Sequence, residues 1–94
     1  DAALQKAAAA RQQRALVRHR LKFAGASITE IMMQGKGDDS IGRMKVVALL
    51  QSMPGVGKVR ATQIMAEIGI ADSRRVRGLG VQQIRAIANY FEGA

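Results

Sequence analysis

The 94-residue chain carries a formal net charge of +8 and contains neither cysteine nor tryptophan. This length allows one domain with at most an arm or a tail, and the lack of cysteine excludes disulfides, thiolate zinc sites and a cysteine nucleophile. No stretch is long and apolar enough to span a membrane, and the start lacks the residue order of a signal peptide. The excess of basic residues favours a polyanionic partner, nucleic acid before others.

The apolar residues repeat with helical spacing along almost the whole chain, which predicts an all-α fold. The alanine-rich residues 2–24 form the first predicted helix, with Gly25 as its stop. Its large apolar residues lie in the second half, at Leu16, Val17, Leu21 and Phe23. We therefore expect the first half to project as a solvated arm.

A second helix is predicted to open at Ser27, because Ser27 followed by Glu30 matches a capping box. It ends near Gly35, and residues 35–40 have the composition of a loop. Asp39 or Ser40 is expected to cap a turn or short helix over residues 41–44.

Three amphipathic helices follow. The first contains Val46, Leu49, Leu50 and Met53 and ends at Pro54, and the second covers residues 58–68 and ends at Gly69. After a turn region over residues 71–80, the last helix is marked by Val81, Ile84, Ile87, Ala88 and Phe91. Residues 93–94 are expected to be a frayed tail. We divide the chain into a basic helical arm (1–26) and a helical domain (27–94).

The segment Met53-Pro54-Gly55-Val56-Gly57-Lys58 joins two of these helices. Its glycines allow a sharp turn and close approach of a partner, and the following helix starts with unpaired N–H groups that suit a phosphate. Lys58 works against the helix dipole, so a role in stability is not expected. The pattern resembles the helix-hairpin-helix motif, which binds nucleic-acid backbone without sequence preference. The alternative is an ordinary helical hairpin, and we expect a bulky residue at Gly57 to damage both fold and binding.

A turn with three arginines, Arg74, Arg75 and Arg77, precedes the last helix. Arginine presents a planar fork of donors that suits phosphate and fits a narrow minor groove. The alternative is a solvated run of charge. Val76 and Leu79 in the same turn are expected to be buried in the core.

Basic residues elsewhere give two further candidate contacts. Arg11, Arg14, Arg18 and Lys22 fall within about 80° of one another on the first helix, which forms a basic stripe. DNA contact and a merely solvated face explain this stripe equally well. Arg43 and Lys45 precede the hairpin's first helix, and contact with a flanking phosphate and a solvated pair of charges explain them equally well.

No constellation for catalysis, metal or cofactor binding is present: His19 has no partner at metal-ligand spacing, and we expect no enzyme activity, metal or cofactor. Single-stranded nucleic acid is bound by exposed aromatic residues. Phe23, Tyr90 and Phe91 are the whole aromatic set and are expected to be needed in the core, which favours duplex backbone instead.

Residues 6–92 resemble the actinobacterial integration host factor family, which comprises nucleoid-associated proteins. The resemblance is carried by "IGRMKVVALLQSMPGVGKVRATQIMAEIGIADSRRVRGLG" over residues 41–80 and by the alanine-rich start with its arginines. It implies a long N-terminal helix followed by a helix-two-turn-helix domain, and duplex DNA binding with little sequence preference. DNA bending or compaction and support of phage integration are implied with it.

The same resemblance implies roles for individual residues. Gly55, Gly57, Lys58 and Arg60 would grip backbone phosphates, with Val56 in the same hairpin, and the three arginines of the turn would lie near or in the minor groove. We expect a monomer in the cytoplasm, on the nucleoid, with duplex DNA as its partner and a phage integrase complex as a further one. The chain begins at Asp1 rather than Met, so we expect residues upstream.

Two alternatives remain. Part of the sequence also resembles the helix-two-turn-helix of a small-subunit ribosomal protein, an rRNA binder with a basic C-terminal tail that does not follow Glu92 here. Some glycosylases carry the same hairpin followed by a catalytic Asp, and Asp72 follows Lys58. A glycosylase needs a pocket for an extruded base, which this small core is not expected to provide.

Overall fold

A computed structural model describes residues 2–92, and that part of the chain is helical, as predicted. The helices are α1 (Ala2–Phe23), α2 (Ile28–Gln34), α3 (Asp39–Gly42), α4 (Val46–Gln51), α5 (Lys58–Ile68) and α6 (Val81–Glu92), with a 3-10 turn at Val76–Gly78. None of these helices is long and apolar enough to cross a membrane. Asp1 and the expected tail at 93–94 lie outside the described residues.

One apolar core joins all six helices. Its fully buried members include Val17 and Leu21 of α1, Met32 of α2, Leu50 of α4 and Met65 of α5. Because two α1 residues lie in this core, α1 is docked along its second half, while residues 2–7 are exposed. The division of the chain at residue 26 stays a prediction.

The caps show how local chemistry sets the helix ends. The Ser27 hydroxyl accepts a bond from the Glu30 amide at 3.4 Å, as the capping box predicts. The predicted cap of α3, Asp39 or Ser40, was wrong. The Asp38 carboxylate caps this helix instead, accepting hydrogen bonds from the amides of Ser40 and Ile41. Gly69 ends α5 in the left-handed conformation, with φ +87°.

The ends of α2 and α6 are joined by a carboxylate. Glu92 accepts hydrogen bonds from the hydroxyls of Ser27 (2.6 Å) and Thr29 (3.0 Å). These bonds favour the charged form and lower the pKa of Glu92 below its ordinary value of 4.5. The last helix is thereby held against the start of α2.

Two glycines let α2, α3 and the 3-10 turn pack closely. A Cβ at Gly42 would lie 2.5 Å from the Gly35 carbonyl oxygen, and one at Gly35 would lie 2.7 Å from Val76. Neither position has room for a side chain. This contact seats the arginine turn on α3, and Val76 and Leu79 plug the core as predicted.

Four apolar residues that the sequence placed on buried faces are exposed instead: Leu16, Phe23, Val81 and Tyr90. Phe23 is 71% and Tyr90 is 41% exposed. Each of these two aromatics follows a buried residue (Val17 and Ile84) by six positions, which is about 120° around a helix. The expectation that all three aromatics are needed in the core was therefore wrong, and only Phe91 packs against it.

Candidate nucleic-acid interface

The hairpin between α4 and α5 presents backbone amides to solvent. The amides of residues 57–60 have no acceptor among the described residues, and no side chain caps the start of α5. An unpaired helix N-terminus carries partial positive charge, and Lys58 and Arg60 add two exposed cations there. The arrangement suits a phosphate group.

The two glycines of the hairpin differ in what they contribute. Gly55 has φ +76°, a conformation that favours glycine, so its predicted part in the turn is confirmed. Gly57 is extended, with φ −91°, and a Cβ there would meet nothing within 4 Å. The expectation that the fold requires Gly57 was wrong, because the free chain has room for a side chain.

Val56 and Arg60 have contacts of their own. Val56 packs against the core, and its amide donates to the Met53 carbonyl at 3.1 Å, so this amide is closed to a ligand. The Arg60 guanidinium lies 6.0 Å from the centre of the exposed Tyr90 ring, within cation–π range. Tyr90 was not predicted as a neighbour of the interface, because its contact with Arg60 depends on how α5 and α6 pack together.

A short antiparallel bridge brings the arginine turn to the residues before α4. The Val46 amide donates to the Arg74 carbonyl and the Val76 amide to the Met44 carbonyl, both at 2.9 Å. Lys45 and Arg75 face each other in this bridge. The sequence predicted both groups separately but not this pairing, which gathers the cations of residues 43–45 and 74–77 at one end of α4.

Hydrogen bonds fix two of the three arginines. Arg74 donates from Nη1 to the Gly78 carbonyl at 2.8 Å, and Arg75 donates from Nη1 to the Arg43 carbonyl. A guanidinium has five donor hydrogens, so each keeps donors for a phosphate. The side chain of Arg77 is exposed and makes no hydrogen bond or ion pair within residues 2–92.

Arg43 is partly neutralised by Asp39, whose carboxylate lies 3.7 Å away in an exposed ion pair. Such a pair contributes little to stability. Lys45 is exposed and caps α4 without a side-chain bond. Both remain accessible beside the arginine turn.

The hairpin and the arginine turn occupy opposite ends of α4. The bridge lies at its start and the hairpin at its end, and six residues of helix span about 9 Å. This separation lies between the widths of the minor and major grooves, about 6 and 12 Å. One duplex is therefore wide enough to meet both clusters.

The α1 stripe lines two grooves, one beside α3 and one beside the end of α4. Arg11, Arg18 and Lys22 are exposed, and Arg14 is half-buried. Arg18 and Lys22 line an open groove with Ala48, Gln51 and Ser52 of the α4 end. Within residues 2–92 no group of three or more His, Cys, Asp or Glu side chains is arranged to hold a metal ion.

The comparisons with known proteins agree with this geometry. A family model described as an S13-like H2TH domain matches residues 21–91. The integration host factor of Streptomyces coelicolor is 61% identical over 90 residues, which cover 96% of this chain and 84% of that protein. The chain belongs to the actinobacterial integration host factor family.

Two further comparisons extend the family match. The integration host factor of Mycobacterium tuberculosis is 48% identical over 93 residues, covering 99% of this chain and 89% of that protein. A solved structure described as sIHF bound to an 8bp palindromic DNA matches with a TM-score of 0.90 and 60% identity. That match covers 93% of this chain and 98% of that one. The predicted family and all-α fold are confirmed.

Proposed function

We propose that this integration host factor family member binds duplex DNA by its phosphate backbone, with little sequence preference, and bends or compacts it on the nucleoid. The observation that carries this proposal is the bridge between residues 44–46 and 74–76, which gathers five cations at one end of α4. The hairpin at the other end of α4 adds open amides and two more cations.

The chemistry of both clusters suits phosphates rather than base edges. Backbone amides and a helix N-terminus position a protein on the nucleic-acid backbone but do not read sequence. Arginine is the side chain that enters a narrow minor groove. The 60% identical sIHF structure was solved on a DNA duplex, which supports the same partner here.

Because Phe23 and Tyr90 are exposed, a shortage of exposed aromatic residues does not favour duplex over single strands. Both rings already have a side-chain neighbour: Phe23 lies 5.0 Å from His19, and Tyr90 lies beside Arg60. The support for duplex is that the two clusters lie about 9 Å apart along α4, a distance that the backbone of one duplex spans.

The proposal includes no catalysis. The groove of about 670 Å³ between α1 and α3 is open and is lined by lysine, arginine and aspartate side chains among others. A base-flipping enzyme would need a closed pocket beside the hairpin. Asp72 is exposed on a turn. We further propose cytoplasmic localisation, a monomer in solution and a phage integrase complex as an additional partner.

The test is binding to a short duplex, the matching single strand and a structured RNA, by fluorescence anisotropy across a salt series. We expect the duplex to bind most tightly. With four to six neutralised phosphates, log K should fall against log salt with a slope of about −4 to −5. A slope near zero, or tighter binding of the RNA, would overturn the proposal.

Two further measurements test DNA bending and the absence of catalysis. Ligase-catalysed circularisation of short duplexes should increase with protein if the DNA is bent. Incubation with abasic duplex should give no strand cleavage. Cleavage that disappears with Asp72→Asn would assign the protein to the glycosylase alternative instead.

A further inference from the structure

Docking of α1 onto the domain determines which way its basic stripe faces. Val17 and Leu21 are fully buried, which fixes the rotation of the helix about its axis. Arg18 and Lys22 directly follow these two residues in the chain. They lie four residues apart, about 6 Å along α1, and are both exposed.

The surroundings of Arg14 differ from those of Arg18 and Lys22. Arg14 lines a groove of about 670 Å³ between α1 and α3, and the other charged side chains of this groove are Lys6, Arg43, Asp38 and Asp39. Two carboxylates thus offset two of the three positive charges in this groove, and Asp39 lies 3.7 Å from Arg43. An incoming phosphate would meet a weakened attraction at this end of the stripe.

The groove at Arg18 and Lys22 contains no carboxylate. Its volume is about 300 Å³, and its remaining lining comes from Ala48, Gln51 and Ser52. Ser52 is itself turned inward, donating to the Ala48 carbonyl at 3.0 Å. No carboxylate among the residues that line this groove therefore competes with a phosphate for Arg18 and Lys22.

This groove extends to Ser52, the residue that directly precedes the hairpin in the chain. Ser52 is the C-cap of α4, and the hairpin follows directly. A second cavity is lined by Leu21 and Gly25 from the end of α1 together with Met53 and Pro54. The C-terminal end of α1 thus adjoins the first residues of the hairpin along two separate contacts.

We propose that Arg18 and Lys22 form a third phosphate-binding element, which continues the hairpin surface along the DNA backbone, whereas Arg14 does not take part. The inference rests on the proposed function, and the expected occupant is the same duplex. Charge complementarity and adjacency to the hairpin carry it. The residues of the stripe share one face of α1, but Arg14 lies beside α3 whereas Arg18 and Lys22 lie beside α4.

The test compares two double variants of α1 that remove the same charge. Arg18→Ala with Lys22→Ala removes the pair in the α4 groove. Lys6→Ala with Arg20→Ala removes one lysine and one arginine from the same helix, outside that groove. Salt slopes are measured by anisotropy on the duplex, and helical content and Tm are measured for each protein.

We expect the Arg18/Lys22 variant to reduce the magnitude of the salt slope by about 1.8, and its affinity at 0.1 M salt to fall about tenfold or more. The Lys6/Arg20 variant should change the slope by less than about 0.5. If alanine destabilises α1, Arg18→Gln with Lys22→Gln keeps part of the aliphatic stems while removing the same charge. Its slope should fall by the same amount.

Equal slopes for the two double variants, or an Arg18/Lys22 slope like that of the unaltered protein, would overturn this inference. That outcome differs from failure of the proposed function. In the latter case the unaltered protein itself would bind duplex without salt dependence. Arg14→Ala provides a further check. If this variant lowers the magnitude of the salt slope by half as much as the Arg18/Lys22 double variant does, the stripe is not divided as proposed.

Discussion

The hairpin and the arginine turn are both built for an anion but offer different groups to it. The hairpin offers backbone amides of residues 57–60, placed by the turn at Gly55. The arginine turn offers side chains, and two of them, Arg74 and Arg75, also hold backbone carbonyls. In the hairpin, the backbone conformation places the binding groups. In the arginine turn, the binding groups are charged side chains, and two of these side chains also hold the local backbone in place.

The largest expected effect comes from the arginine turn. Replacing Arg74, Arg75 and Arg77 together by alanine should lower the magnitude of the salt slope by about 2.7, because three phosphate contacts are lost. Helical content should stay, since the core residues of this turn are Val76 and Leu79. Anisotropy across a salt series and circular dichroism measure both.

A triple lysine variant of the same positions separates charge from geometry. Lysine keeps the charge but lacks the planar fork that reaches the Gly78 and Arg43 carbonyls. Its slope should stay near that of the unaltered protein while Tm falls. If the alanine variant keeps its affinity and loses only thermal stability, the three arginines are structural.

The hairpin gives the next largest effect, at Gly57. Because a Cβ there meets nothing in the free chain, Gly57→Leu should cost only about 1 kcal/mol of stability, from a poorer N-cap. The leucine would occupy the space of an approaching phosphate, so duplex affinity should fall about tenfold or more.

Gly37→Leu is the matched control, since Gly37 also has open space around its Cβ and lies in the loop between α2 and α3. Tm and duplex affinity are measured for both variants. Unchanged affinity in Gly57→Leu would mean that no phosphate approaches this glycine, and the hairpin would lose its place in the interface.

The smallest expected effect on duplex affinity comes from Gly55, which shares its left-handed conformation with Gly69. Gly55 and Gly69 have φ of +76° and +87°, and alanine at either should cost about 1–2 kcal/mol. Both variants should lower Tm alike. Only Gly55→Ala should also weaken duplex binding, by a few fold, because Gly69 ends α5 far along the chain from the hairpin. Equal duplex affinities of the two variants would mean that the backbone conformation at Gly55 does not contribute to DNA binding.

Local signals in the sequence predicted the helices and the candidate cations, because periodicity, caps and glycine act over a few residues. The bridge between residues 44–46 and 74–76 was not predictable, since it joins segments thirty residues apart. The room around Gly57 and the opposing carboxylates at Arg14 likewise depend on tertiary neighbours. The exposure of Phe23 follows from its position about 120° around α1 from Val17.

The bridge beside α4 also has a thermodynamic consequence. Two backbone hydrogen bonds hold the arginine turn beside Lys45, and they exist only when α4 and α5 have folded between the two paired segments. The unfolded chain therefore lacks the assembled cation cluster, and a ligand of that cluster selects the native state. Saturating duplex at a hundred times its Kd would then raise the free energy of unfolding by about 2.7 kcal/mol. Because the core of this protein is small and aliphatic, bound DNA would contribute a large part of the free energy of unfolding.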